Sequence, residues 1–294
     1  MDQAGELRQR ARAAIERGVH AAAAARVGVP RVVAVTSGKG GVGKTNVTAN
    51  LAIALARRGL RVMILDADLG LANIDVVLGL KPQYNVEHLL SGERALAEIL
   101  VEGPAGVRIM PATSGIERLT HMDETERLRL LAAFEQFEDP LDVLLIDTGA
   151  GISPNVMYFA AAAQQTIVVA TPEPTSITDA YAVMKVLSTT YGEDRFLLLA
   201  NNVPNEKSAR KIFDDLTKVS GRYLNISIDL LGFIPTDPNI QRAVRGRKAV
   251  IDMFPQAAAS LAFGQLAERL VATRVPSGPK GGLQFFWQRF LSLG

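Results

Sequence analysis

Residues Gly38-Lys39-Gly40-Gly41-Val42-Gly43-Lys44-Thr45 restrict what this chain can fold into more than any other stretch, because they fit the pattern G-x-x-x-x-G-K-[ST]. The run before them, residues 31–37, reads as a short buried strand, and residues 46–58 read as a helix ending before Gly59. In that order, the glycines let backbone N–H groups turn toward one centre, and the helix start adds its positive end there. Such a centre suits the β- and γ-phosphates of a nucleotide. Lys44 is then expected to neutralise phosphate charge and Thr45 to hold Mg²⁺, with Asn46 opening the helix. The competing reading is a glycine-rich turn with an incidental lysine and threonine, against which the flanking strand and helix argue. Lys39 is additional to the pattern. At the start of the loop it can project outward, toward a nucleotide held by a facing subunit; the alternative is a solvated loop lysine.

Composition narrows the chemistry. With 294 residues, 48% of them hydrophobic, the chain can bury a full core, and a single domain with appendages is expected. No apolar run approaches the roughly 20 residues that span a bilayer, and the charged, alanine-rich start has no signal-peptide core, so a cytoplasmic location is expected. Zero cysteine excludes disulfides, zinc–thiolate sites, iron–sulfur ligation and cysteine nucleophiles. His20, His88 and His121 lack metal-ligand spacing. A net charge of +2 is too small to argue for nucleic acid.

Beyond the loop, apolar strand-like runs at 61–65, 107–110, 141–146, 166–170, 196–200 and 229–234 alternate with helical stretches near 124–137, 154–163, 176–191 and 206–219. This rhythm predicts an α/β fold: a single, mostly parallel twisted sheet with helices on both faces. Ligands of such sheets bind beyond the carboxyl ends of the strands. Two of those ends carry acids, Asp66 and Asp68 after one run and Asp147 after another. Four hydrophobic residues followed by aspartate form a Walker-B-like arrangement, in which Asp147 touches Mg²⁺ or its waters, and the glycines after it suit a moving loop. A lone aspartate at a strand end is as readily a cap or turn residue; three beside a phosphate loop favour function. Ser176 is a candidate helix cap after Thr171-Pro172-Glu173-Pro174-Thr175.

The form K-G-G-V-G-K-T resembles the deviant Walker A motif of the MinD/ParA ATPases, a P-loop family of the SIMIBI class, over roughly residues 32–272. The resemblance implies an ATP-dependent homodimer using ATP and Mg²⁺, in which Lys39 reaches the partner's phosphates. It implies that Asp66 lies near the magnesium shell and that Asp68 polarises the attacking water. It also implies that Asn201, at the end of a strand, and Pro235 and Asp237, in the loop after another, approach the adenine; an asparagine in such a place is also a common turn former.

Asn46, where a second threonine or serine is usual in MinD, and the extension before the first strand favour the flagellar branch of the family, the flagellar-number regulators FlhG, also called FleN or YlxH. Residues Asp2, Gln3, Ala4, Leu7 and Arg8 resemble the D-Q-A-x-x-L-R element through which that branch stimulates the GTPase FlhF. Ala4, Leu7, Ala11, Ile15 and Val19 give a narrow apolar stripe, too small to hold a helix strongly to its own domain. A helix that orders on a partner is expected, against the alternative of a frayed terminus. At the other end, a Pro/Gly tether at 276–282 precedes an amphipathic helix with Leu283, Phe286, Trp287, Phe290 and Leu291 on one face. That pattern suits a helix lying in the plane of the inner membrane. The alternative is a helix packed in a groove of its own domain, and the two can alternate with nucleotide state.

Three segments are therefore expected: 1–30 for a partner, 31–273 for the ATPase, and 274–294 for tether and membrane helix. The function implied is a slow Mg²⁺-dependent ATPase that controls flagellar number and placement, with FlhF, flagellar C-ring proteins or the transcription activator FleQ as partners. A MinD-like role at the division site, through MinC, and a binding module restraining FleQ are the alternatives. ParA-like DNA binding is a weaker one, and the cluster Arg242, Arg245, Arg247 and Lys248 reads as a solvated or partner-facing edge.

Overall fold

The structure, a computed structural model, describes residues 30–68, 74–111, 119, 122–137, 139–273 and 282–293, with side chains in the last segment from 286 onward. The expected partner residues Asp2, Gln3, Ala4, Leu7 and Arg8, the tether from Pro276 to Lys280 and the side chain of Leu283 lie outside the described residues.

Eight strands form one sheet: β1 (Arg31–Ser37), β2 (Val62–Ala67), β3 (Val101–Glu102), β4 (Arg108–Met110), β5 (Val143–Ala150), β6 (Gln165–Ala170), β7 (Arg195–Val203) and β8 (Ser227–Pro235). Their order is β3-β4-β2-β5-β1-β6-β7-β8, parallel throughout except for β3 against β4. Helices α1 (Lys44–Ala56), α2 (Ile74–Leu78), α3 (Val86–Leu90), α4 (Leu96–Ile99), α5 (Glu124–Glu135), α6 (Pro154–Ala162), α7 (Pro174–Tyr191), α8 (Glu206–Tyr223), α9 (Pro238–Arg245), α10 (Val250–Met253), α11 (Ala258–Ala272) and α12 (Gly282–Leu293) cover it.

The period-2 geometry of the strands divides the core in two. Val33 and Val35 of β1, Ile64 of β2, Leu145 of β5 and Leu199 of β7 pack under α1 and α11. Val32, Ala34, Leu65, Ile146 and Leu198 face α5, α6, α7 and α8. The same alternation places Asp66, Asp147 and Asn201 on the α1 face, at the carboxyl ends of their strands. Sequence parity thus delivers three candidate residues to one side of one edge.

Several boundaries differ from expectation. β5 runs on through Thr148, Gly149 and Ala150, pairing with Ala67 and Ser37, so the first glycine after Asp147 lies in the sheet instead of a loop. Ser176 does not cap its helix: α7 begins at Pro174, and the Ser176 hydroxyl accepts the Thr171 N–H at 3.0 Å. A proline at the first helical position needs no N–H acceptor, which moves the start two residues earlier. The fifteen-residue α11 and the antiparallel β3 were not legible as elements. α11 is alanine-rich with a diffuse apolar pattern, and β3 is two residues long.

The C-terminal α12 packs against α5 and α6. Phe286, Trp287 and Phe290 are buried in the core cluster of that face, and Leu291 packs at its margin. Phe159 stacks on Phe290 with ring centroids 4.4 Å apart, and Arg289 pairs with Glu193 at 3.0 Å. The face expected to meet a membrane is therefore lodged in the protein's own groove in this structure. Among the described residues no helix is long and apolar enough to cross a membrane.

Candidate active site

The loop between β1 and α1 leaves the centre of the sheet, where β1 lies between β5 and β6. Gly41 and Gly43 have φ of +78° and +89°, left-handed values that a side chain disfavours. Gly38 is needed for a different reason: a Cβ there would collide with the Asp179 backbone of α7. Gly40 and Gly41 are exposed, whereas Val42 is buried and anchors the loop in the α1-face core. No backbone N–H from Lys39 to Thr45 donates a hydrogen bond within the described residues. A row of orphan donors at a helix start, in a turn with two left-handed glycines, is an anion-binding concavity.

Beneath the loop the carboxylates converge. Asp66 and Asp147 are register partners on adjacent strands, both almost wholly buried. Asp147 Oδ1 accepts from Thr48 Oγ1 at 3.1 Å, and the Thr45 hydroxyl favours the charged form of this carboxylate. Its other oxygen, Oδ2, is buried with no hydrogen-bond partner. Asp66 accepts the Ile74 N–H at 3.2 Å, and its remaining oxygen lies 3.4 Å from the Asp68 nitrogen. Burial, reinforced by the charge of Asp147, pushes Asp66 up to about 7; burial pushes Asp147 up to about 6 despite the Thr45 hydroxyl and the Lys44 charge. Lys44 is itself buried, and desolvation lowers its pKa against the opposing pull of Asp147 and Asp68. Asp68 stands beside Gly149 of β5, where a Cβ would lie 3.4 Å from its carboxylate.

This donor set fits a hard divalent cation. Thr45, Asp66 and Asp147 offer oxygen ligands alone, one of them an orphaned buried carboxylate oxygen, and the chain has no thiol to compete.

Lys39 points elsewhere. Its ammonium pairs with Glu173 and donates to Thr175 Oγ1 at 3.1 Å, at the start of α7 and away from the carboxylate pair. Asn201 does not simply end its strand: its amide donates to the Val42 carbonyl at 2.7 Å, reaching back to the loop. Asp237 caps two helices, accepting from the Asn239 N–H at 2.9 Å and the Ala259 N–H at 3.1 Å, while Pro235 ends β8 half-buried. Asn46 accepts from Asn50 Nδ2 at 2.8 Å through its carbonyl. Arg242, Arg245, Arg247 and Lys248 are all exposed, with Arg242 over the Phe254 ring. Sequence reasoning missed Thr48, Glu173 and Thr175. Thr48 carries a signal, since it stands three residues after Thr45 on the same helix face. Glu173 lies 134 residues from Lys39, a pairing that only the fold creates.

A phosphate cradle beside paired acids on a central parallel sheet defines a P-loop NTPase. A ParA family profile, described as NUBPL iron-transfer P-loop NTPase, matches residues 28–271. The chain belongs to the ParA family. With no cysteine anywhere, it carries no thiolate for the iron chemistry in that description. It is 46% identical over 261 residues to the antiactivator FleN of Pseudomonas aeruginosa, covering 89% of this chain and 93% of that one. It is 38% identical over 269 residues to the flagellum site-determining protein YlxH of Helicobacter pylori, covering 90% of each. Among solved structures it resembles MinD of Aquifex aeolicus, with TM-score 0.66 at 27% identity over 84% of this chain and 98% of that one. It also resembles the Pyrococcus horikoshii MinD complexed with Mg-ADP, with TM-score 0.64 at 28% identity over 83% and 96%.

Proposed function

We propose that this chain is a slow, Mg²⁺-dependent ATPase that dimerises on ATP, sits on the inner membrane when dimeric, and regulates flagellar number and placement. The observation that carries the switch is the divergence of the two loop lysines: Lys44 is buried among Asp147 and Asp68, while Lys39 stands outside the cradle, its side chain 39% exposed. A cation so placed serves a second molecule better than its own nucleotide.

In this reading the loop N–H groups and Lys44 bind the phosphates, and Lys39 of a second copy adds charge once Glu173 and Thr175 release it. Thr45, Asp66 and Asp147 would hold Mg²⁺, which when bound supplies positive charge to offset the negative charge of the phosphoryl group in transfer. Asp68 orients the attacking water. The α12 helix leaves its groove in the ATP dimer, and two such helices on one particle gain avidity of roughly 10²–10⁴ over one. Hydrolysis returns the monomer with α12 docked. The flagellar assignment is supported by the 46% and 38% relatives. Residues 1–30, with the Asp2 to Arg8 element, stimulate FlhF, which a peptide of that segment added to FlhF turnover assays tests.

The name of the FleN relative supports a second reading, in which the ATP-bound chain restrains a transcription activator such as FleQ by direct contact. Pull-down with ATP and with ADP separates the two. The MinD relatives, at 30–33% identity, favour a division-site role less than the flagellar relatives favour theirs. The central test is light scattering with ADP and with a non-hydrolysable ATP analogue: a doubled mass with the analogue alone is expected, and equal masses overturn the switch.

A further inference from the structure

The residue that sets the shape of the phosphate loop lies on neither the loop nor its helix. The β7–β8 register shifts twice: β8 carries an extra residue between the pairs Leu198–Leu230 and Leu199–Gly232, and after Ala200 and Phe233 three residues of β7 oppose two of β8, with Val203 beside Pro235. The extra residue of β7 is accommodated at Asn201 and Asn202, where Asn202 takes a φ of +54°, a left-handed value uncommon for a residue with a side chain. The irregularity reverses the strand's parity: Leu198 and Ala200 face the α5–α8 core, and so does Val203, an odd number of residues farther on. Asn201 is left on the α1 face, directed at the loop.

Its amide donates to the Val42 carbonyl at 2.7 Å. Only the nitrogen end of the amide can make that bond, because the acceptor is a carbonyl. A Cβ at Gly43 would sit 2.6 Å from the same nitrogen, so a glycine is what lets the amide approach. In a planar trans peptide the C=O of one residue and the N–H of the next point in opposite directions. Fixing the Val42 carbonyl toward β7 therefore turns the Gly43 N–H to the other side, where it has no acceptor among the described residues.

We propose that Asn201 is a positioning residue: by holding the Val42 carbonyl outward it aims the Gly43 N–H at the phosphates and preforms the cradle. This rests on the nucleotide reading of the loop and assigns Asn201 a task distinct from touching the base.

Calorimetry with Mg²⁺-ADP and with Mg²⁺-tripolyphosphate, which has no base, tests it on the full chain, Asn201→Ala and Asn201→Asp. Loss of one such hydrogen bond is expected to weaken both ligands by the same factor, roughly five- to tenfold. Asn201→Asp, close in shape, is expected to weaken them more, since a carboxylate repels both the carbonyl and the phosphates. The thermal midpoint without ligand is expected to stay near wild type, and Asn201→Asp carries the test if Asn201→Ala does not fold. A variant that loses ADP affinity but keeps tripolyphosphate affinity within twofold overturns the proposal and makes Asn201 a base contact. Unchanged affinity for both ligands overturns it as well. If the wild-type chain binds neither ligand, the nucleotide reading falls and takes this inference with it.

Discussion

Trp287 of α12 stacks on Phe134 of α5, with ring centroids 4.8 Å apart and planes 29° from parallel, and the indole is wholly buried. The chain has one tryptophan, so its emission reports this groove alone. Phe134→Ala removes the stacking partner from a packed site, a change that typically costs about 3–5 kcal/mol. That loss is expected to weaken docking of α12. Acrylamide is expected to quench Trp287 more strongly in the variant, and the ADP-bound variant is expected to sediment with anionic vesicles where wild type stays in solution. Unchanged quenching and sedimentation would show that the groove does not control the helix.

The two loop lysines are expected to fail differently. Lys44→Ala leaves the cradle without its buried cation, so nucleotide binding itself should collapse. Lys39→Ala removes a side chain that touches Glu173 and Thr175 instead of the carboxylate pair. ADP affinity should stay within about threefold of wild type while turnover falls by ~10³, the lower range for charge delivered in trans. Equilibrium dialysis and a phosphate-release assay separate the two outcomes.

Asp66 and Asp147 make the ligand-free protein sensitive to pH. Both folded pKa values are raised, to about 7 and about 6, chiefly by burial. A raised carboxyl pKa means that the folded state binds more protons than the unfolded state between roughly pH 4 and 7, so stability falls as pH rises through that window. Thermal melts without Mg²⁺ should show a higher midpoint near pH 5 than near pH 8, by on the order of 2–4 kcal/mol in free energy. Asp66→Asn should flatten the slope and stabilise the ligand-free chain above pH 7, and Mg²⁺ with ADP should oppose the loss in wild type by favouring the ionised pair. A melt that is steepest in Asp66→Asn would contradict this origin.

What was legible in the sequence was whatever a short window encodes. Gly38 to Thr45 announce the cradle because Gly41 and Gly43 answer local backbone demands, and the period of two in β2 and β5 already places Asp66 and Asp147 on one face. Tertiary pairings were not legible. Lys39 meets Glu173, and Asn201 meets Val42, 159 residues away, only because β1, β6 and β7 are neighbours in the sheet. The amphipathic face of α12 was plain from Phe286, Trp287 and Phe290, but whether such a face meets lipid or Phe134 and Phe159 depends on a groove that no local pattern describes.

Asp68 is the residue whose loss should expose the cycle most directly. It lies outside the buried pair, close enough to Lys44 to oppose the lowering of the lysine's pKa by burial, and beside Gly149, where the absence of a side chain leaves room. A carboxylate in that place can orient a water without being a principal cation ligand, so Asp68→Ala should leave nucleotide and Mg²⁺ binding near wild type. Removing a positioned general base typically costs 10²–10⁴ in rate, so turnover should fall by about that factor. If hydrolysis ends the dimer, blocking it must preserve the dimer: light scattering with ATP itself should then give a lasting doubled mass in the variant, whereas wild type should decay to the monomer as ATP is consumed. Normal turnover in Asp68→Ala would remove the residue from the chemistry, and slow turnover with a monomeric mass would break the link between hydrolysis and assembly.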